Sequence, residues 1–193
     1  TVTNREAKYE ITVKANSAIA TYDGKEHEAV GVETYEFTVE GNSYTVSGLS
    51  TEDPKQKDAG SYTNNITGTP VVTDKEGNVV TSEFEVKTEN GSLEIGKAAV
   101  TLKSATLSKK YDGNALVNGD TALEVESGFA EGEGATYNFT GSQTIVGSSA
   151  NAFSYELNSN TNIDNYEISK QEGTLTVTNR EAKYEITVKA NSA

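Results

Sequence analysis

One histidine, His27, stands in the string Lys25-Glu26-His27-Glu28. A catalytic triad or an imidazole metal site needs further partners held around such a ring. A lone imidazole among charged neighbours reads instead as a solvated strand or loop position. Cysteine is absent, which removes disulfides, thiolate ligands and thiol nucleophiles. Carboxylates are abundant, with 29 Asp and Glu against 16 Lys and Arg, so pairs such as Glu131/Glu133 and Asp164/Glu167 are expected. Glycoside hydrolysis needs two acids facing each other across a cleft, and thin domains offer little cleft. Asp74-Lys75-Glu76-Gly77-Asn78 has the acidic character of a calcium loop. It lacks a bidentate Glu at EF-hand spacing, and Asp74 and Gly77 read as hairpin-turn residues. No phosphate-binding GxxxxGKS/T or GxGxxG string occurs. A Lys–Asn isopeptide crosslink would need a core-facing lysine, but alternation places Lys8, Lys14, Lys87, Lys97 and Lys103 on outward faces. The sequence therefore assigns no catalytic, cofactor-binding or metal residue, and the expectation is a protein that is not an enzyme.

The elements behind these residues are organised by repetition. Residues 1–18 and 176–193 are the same eighteen letters, TVTNREAKYEITVKANSA. A match of that length implies a tandem array with a unit of 175 residues (176 − 1). A weaker repeat lies inside it. Tyr22-Asp23-Gly24 recurs as Tyr111-Asp112-Gly113, and Phe84-Glu-Val-Lys-Thr-Glu-Asn-Gly91-Ser-Leu93-Glu-Ile95 recurs as Tyr166-Glu-Ile-Ser-Lys-Gln-Glu-Gly173-Thr-Leu175-Thr-Val177. This divides the chain into the end of a preceding repeat (1–7), a first module (8–96), a second module (97–178), and a linker with the first strand of the next repeat (179–193).

The apolar pattern within the modules has a period of two. Residues 9–15, 35–39, 44–46, 100–103 and 135–140 alternate apolar with polar, which is the signature of strands with one buried face. Glu40-Gly41 and Asp74 to Asn78 read as hairpin turns. Asn90-Gly91 reads as the turn around which the first module closes. Asp58-Ala59-Gly60-Ser61-Tyr62 resembles the approach to the penultimate strand of immunoglobulin-like sandwiches, where the Tyr hydroxyl bonds back to upstream backbone. The segment 152–157 reads as its counterpart in the second module. No stretch sustains helical periodicity over three turns. The fold class expected is all-β: two small antiparallel sandwich modules in tandem, Ig-like or alternatively β-grasp-like. Together they would form an elongated rod of about 80 Å, from strands of about ten residues each.

The Tyr-Asp-Gly string and the Tyr/Phe-x-Ile/Val…Gly-x-Leu-x-Ile/Val close resemble the YDG/MBG-type tandem repeats of Gram-positive cell-surface adhesins. The residues carrying the resemblance are Tyr22, Asp23, Gly24, Gly91, Tyr111, Asp112, Gly113 and Gly173. It implies an extracellular, wall-attached, non-catalytic stalk that projects a binding region. The alternative it leaves open is a module that itself holds host glycan, mucin or protein. A net charge of −13 repels phosphate backbones and anionic lipid, so nucleic acid and membrane insertion are not expected. The tandem reading also makes neighbouring repeats of the same chain partners. Its last strand, 184–190, would fray, dock on an edge, or take the place of 9–15 in another molecule and build head-to-tail fibres. The opening and closing strands of a module are expected to lie side by side in parallel, so that tension along the chain shears their bonds together.

Overall fold

The computed structural model describes residues 7–119 and 122–190. The segment read as the end of a preceding repeat lies outside these apart from Ala7, as do the last three residues of 179–193. The chain divides into two compact units, Thr1–Ala98 and Ala99–Ala193. Strands dominate both, and the described residues contain no α-helix.

Unit one runs through β1 (Tyr9–Lys14), β2 (Ala18–Thr21), β3 (His27–Glu28), β4 (Glu36–Val39) and β5 (Asn42–Thr51). It continues through β6 (Lys55–Gln56), β7 (Gly60–Asn64), β8 (Ile66–Asp74), β9 (Phe84–Glu89) and β10 (Gly91–Gly96). Alternation explains β1: Ile11 and Val13 are buried while Glu10 and Lys14 face solvent. These two apolar side chains join Val46 of β5, Val72 of β8 and Phe84 of β9 in one core cluster. Glu40 and Gly41 both have positive φ, 49° and 80°. They join β4 to β5 as the two-residue turn whose twist matches a hairpin.

The expected antiparallel arrangement holds for β4–β5–β8, β3–β6 and β7–β10. The two ends of the unit are parallel instead, the direction expected of its opening and closing strands. Here β1 pairs with β9 in parallel, from Tyr9↔Phe84 to Lys14↔Glu89, and β2 pairs with β10 in parallel, from Ala18↔Leu93 to Gly96↔Thr21. The opening segment β1–β2 and the closing segment β9–β10 are thus two extended arms lying side by side. Each arm changes sheet at a corner.

Unit two shares part of this plan, with β11 (Ala98–Lys103), β12 (Leu107–Lys110), β13 (Leu116–Val117), β14 (Val125–Ser127), which pairs with β11, and β15 (Ala135–Phe139). Then come β16 (Ser142–Gln143), β17 (Gly147–Asn151), β18 (Phe153–Leu157), β19 (Tyr166–Gln171) and β20 (Gly173–Thr178). β11 neighbours β19, β12 runs parallel to β20, and β17 runs antiparallel to β20. The counterpart of β7 is therefore β17. The segment 152–157, expected in that role, forms β18 and pairs with β15.

The crossing of the arms corrects a second expectation. Asn90-Gly91 does not double the chain back, because β9 and β10 belong to different sheets. Gly91 is required by proximity and not by a turn conformation. A Cβ on it would lie 2.1 Å from the Asn16 carbonyl oxygen and 2.7 Å from that of Ala15. Gly173 meets Ala105 and Ser104 oxygens in the same way, at 2.3 and 2.4 Å. At Gly96, by contrast, the nearest atom to an added Cβ is 3.7 Å away. Gly91→Ala should destabilise unit one by about 1–3 kcal/mol through overpacking, while Gly96→Ala should stay within about 0.5 kcal/mol. Denaturant unfolding of the two variants checks this, and equal stabilities would contradict the crossing geometry.

Candidate functional site

The residues singled out in the sequence gather on one sheet per unit, β2–β10–β7 in the first and β12–β20–β17 in the second. Tyr22 follows β2, and its N–H donates to the Gly96 carbonyl at 2.8 Å, extending the parallel pair by one bond. Tyr111 does the same to Thr178 at 2.8 Å. Asp23 then accepts the Lys25 N–H on Oδ1 at 2.9 Å, and Asp112 accepts that of Asn114 at 2.9 Å. These are Asx turns. Gly24 and Gly113 carry positive φ of 80° and 87°, which an L side chain rarely adopts. The Tyr-Asp-Gly string is thus a stop-and-turn device at the end of the second strand. The Tyr22 ring is buried and that of Tyr111 half-buried, so neither forms an open aromatic platform.

Asp58, Gly60 and Tyr62 stand at the start of β7. The Tyr62 hydroxyl donates to the Asp58 carbonyl at 3.0 Å, and its ring covers Gly60, where a Cβ would lie 3.0 Å from the hydroxyl oxygen. The equivalent of Tyr62 in β17 is Ser149, which instead donates to the Ser142 carbonyl at 3.1 Å.

Sequence reasoning missed two asparagines at the arm crossings. Asn64 and Asn151 are fully buried polar residues. Asn64 Nδ2 donates to the Asn16 carbonyl at 3.1 Å, and its Oδ1 accepts the Asp53 N–H at 3.0 Å. Asn151 Nδ2 donates to the Ala105 carbonyl at 2.8 Å and to Asn118 Oδ1 at 2.5 Å. In each unit the Asn therefore satisfies the carbonyl against which the crossing glycine is pressed. Hydroxyls complete the corner: Ser17 accepts the Ser92 N–H at 3.0 Å and Thr106 accepts that of Thr174 at 3.3 Å. The signal for these asparagines was the recurrence of Gly60-x-x-x-Asn64 as Gly147-x-x-x-Asn151.

Several acidic groups are engaged within the fold. Both Asp74 oxygens are used within its own turn, taking the Glu76 and Asn78 N–H groups at 3.0 and 2.8 Å and the Asn78 amide at 2.9 Å. The Asn78 side chain is the leading cause that holds its carboxyl below the usual range. Glu133 accepts from the buried Tyr166 hydroxyl at 2.7 Å. Lys14, Lys87 and Lys103 lie at the surface against Glu89, Glu10 and Glu124. His27 Nε2 lies 2.9 Å from Asp23 Oδ1. Among the described residues no three His, Cys, Asp or Glu side chains converge to hold a metal ion. One hollow of about 410 Å³ lies along β4 and β5 and is lined by Thr34, Glu36, Phe37, Ser43, Tyr44 and Lys75 among others.

In comparisons with known proteins, no family model, no curated protein and no solved structure matches the chain.

The Tyr-Asp-Gly carboxylate of unit two makes a pH prediction. Lys109 Nζ lies 2.8 Å from Asp112 Oδ1. This contact, followed by the Asn114 N–H, lowers the Asp112 pKa. A carboxyl with a lowered folded-state pKa stabilises the fold above the ordinary value of about 3.9. That contribution is lost as pH falls through the lowered value. Carbon-detected titration should place the Asp112 midpoint below that of an unfolded Asp and move it upward in Lys109→Met. A midpoint that ignores the substitution would remove the ion pair from the turn.

Proposed function

We propose that this chain is a spacer segment of a bacterial cell-surface adhesin, built from tandem sandwich-type modules that transmit tension and project a binding region from the wall. The observation that carries the reading is the side-by-side parallel pairing of opening and closing arms. Tension enters unit one at the start of β1 and leaves at the end of β10. Strands that run parallel and are pulled from opposite ends slide along each other. Six register pairs in β1–β9 and four in β2–β10 then bear load together instead of opening one at a time.

Three further features support this reading. The exact eighteen-residue recurrence suits an array, and a net charge of −13 keeps crowded arrays soluble and apart by like-charge repulsion. The motif residues close turns and arm crossings, so their recurrence is accounted for by architecture and not by reactivity. The resemblance to YDG/MBG-type repeats is what implies a non-catalytic, extracellular module.

Single-molecule pulling tests the proposal. Each unit should unfold in one high-force event. Ala15→Pro, which removes the N–H that donates to Glu89 at 2.9 Å, should lower the force of the unit-one event and leave the other unchanged. Extension of both units at low force would sink the load-bearing role. Tight binding to immobilised mucin or host glycan would favour an adhesive module in its place.

A further inference from the structure

Units one and two differ in what lies beside one strand. In unit one β5 sits between β4 and β8. Its counterpart in unit two, β15, pairs with β18, and among the described residues no strand lies along its other edge. The Asn158 N–H bonds the Gly134 carbonyl, and the Thr140 N–H bonds the Ala152 carbonyl. With the register Thr136↔Glu156 and Asn138↔Ser154, the even residues of β15 direct their backbone groups at β18. The N–H and C=O groups of Ala135, Tyr137 and Phe139 therefore point along the other edge, where unit one carries β4. The side chains of these three residues are half-buried, and the Tyr137 and Phe139 rings pack on Phe153 at 6.4 and 5.8 Å. In unit one Phe37 and Val39 of β4 close the core at this place. Open edges are usually guarded by charge, proline or a bulge. Glu33, Glu36 and Glu40 stand in and beside β4, but β15 reads Ala-Thr-Tyr-Asn-Phe and carries no such guard.

We propose that the open edge of β15 binds the same edge of a second copy of this chain, joining two β15–β18 pairs into one four-stranded antiparallel sheet. Self-complementarity identifies the occupant. Two copies set antiparallel about Tyr137 bring each Tyr137 beside the other, where they exchange N–H and C=O. Ala135 then lies beside Phe139 of the second copy, so a small side chain meets a large one at both ends. Thr136 comes opposite Asn138 on the outer face, and two short polar groups meet there. Further out, Glu133 comes opposite Gly141 and Glu131 opposite Gln143. No carboxylate faces a carboxylate along this edge, although each chain carries a net charge of −13. The contact uses the same surface on both copies and closes at two. An edge of 5 residues a side is smaller than a standard interface of about 1,600 Å², so the pairing is weak and favoured by crowding. It goes beyond the spacer role and does not rest on it, since a module could bear tension with or without this edge.

Thr136→Lys together with Asn138→Lys tests this in the 193-residue chain. Both side chains are exposed, so the fold should be kept. In a paired edge the new ammonium groups would face one another, while the lower net negative charge weakens general repulsion. Sedimentation of the unaltered chain should show its mass rising with concentration towards a dimer and no further, and T136K/N138K should stay monomeric. Cysteine is absent from the chain, so introduced thiols read the register cleanly. Opposed residues of a non-hydrogen-bonded antiparallel pair have Cα atoms about 4.5 Å apart, within disulfide reach. T136C chains mixed with N138C chains should therefore link to each other on mild oxidation, in excess of random pairing. This measurement decides independently if the lysines disturb unit two. An unaltered chain that stays monomeric up to about millimolar concentration overturns the proposal and leaves the edge to an extended segment of another protein. Dimers that survive T136K/N138K in a folded chain, growth beyond two, or random thiol pairing each overturn it as well.

Discussion

Each unit depends on one constraint: two extended arms must cross from one sheet to another in contact along their whole length. The opening arm bends between β1 and β2, and the closing arm passes from β9 to β10 beneath that bend. Two backbones then approach closer than a Cβ allows, which demands Gly91 in unit one and Gly173 in unit two. The bend also turns carbonyls inward, and a buried acceptor without a donor costs about 1–3 kcal/mol. Asn64 and Asn151 supply that donor from β7 and β17. The neighbours around this pair differ: Ala15 stands where unit two has Ser104, and Asn64 Oδ1 accepts the Asp53 N–H whereas Asn151 Nδ2 donates to Asn118 Oδ1. The glycine and the asparagine recur because the crossing leaves no alternative of similar size.

The same constraint separates what the sequence pattern specifies from what the fold must add. Residues 9–15 and 184–190 are chemically identical, so local preference is identical too. One is a core strand and the other is exposed. Alternation records which face would be buried if a partner were present, and β9 with its attendant cluster is that partner. Isolated strands are marginal in water. In this protein the strand state is conferred by the parallel neighbour. The charged side chains along the pair, Glu10 with Lys87 and Lys14 with Glu89, are exposed ion pairs of small energetic weight. They fit the register more than they create it.

Much of the fold was legible in the residues. Alternation located β1, β4, β5 and β15. Glu40-Gly41 and Asp74 to Asn78 announced their hairpins through the φ > 0 and Asx requirements of such turns. The Asp58–Tyr62 string announced a hydroxyl-to-backbone bond of the kind observed. The failures share a cause. A glycine shows that the backbone is special without showing whether a positive φ or a close approach is the reason, so Gly91 read as a turn. Local patterns carry no pairing partner, so the split of each arm between two sheets, β1 with β9 and β2 with β10, was not read. Phe153 and Tyr155 drew the counterpart of β7 to the wrong strand, because aromatic resemblance outweighed the quieter Gly-x-x-x-Asn recurrence that marks β17. Asn64 and Asn151 were missed because a buried asparagine looks like any other asparagine until the carbonyl that needs it is in view.

Amide hydrogen exchange on the 193-residue chain tests the central claim most directly, because this sequence carries its own control. Strand formation imposed by β9 predicts slow exchange across residues 9–15 and near-free exchange across the identical letters 184–190. Equal protection of the two segments, high or low, would contradict it.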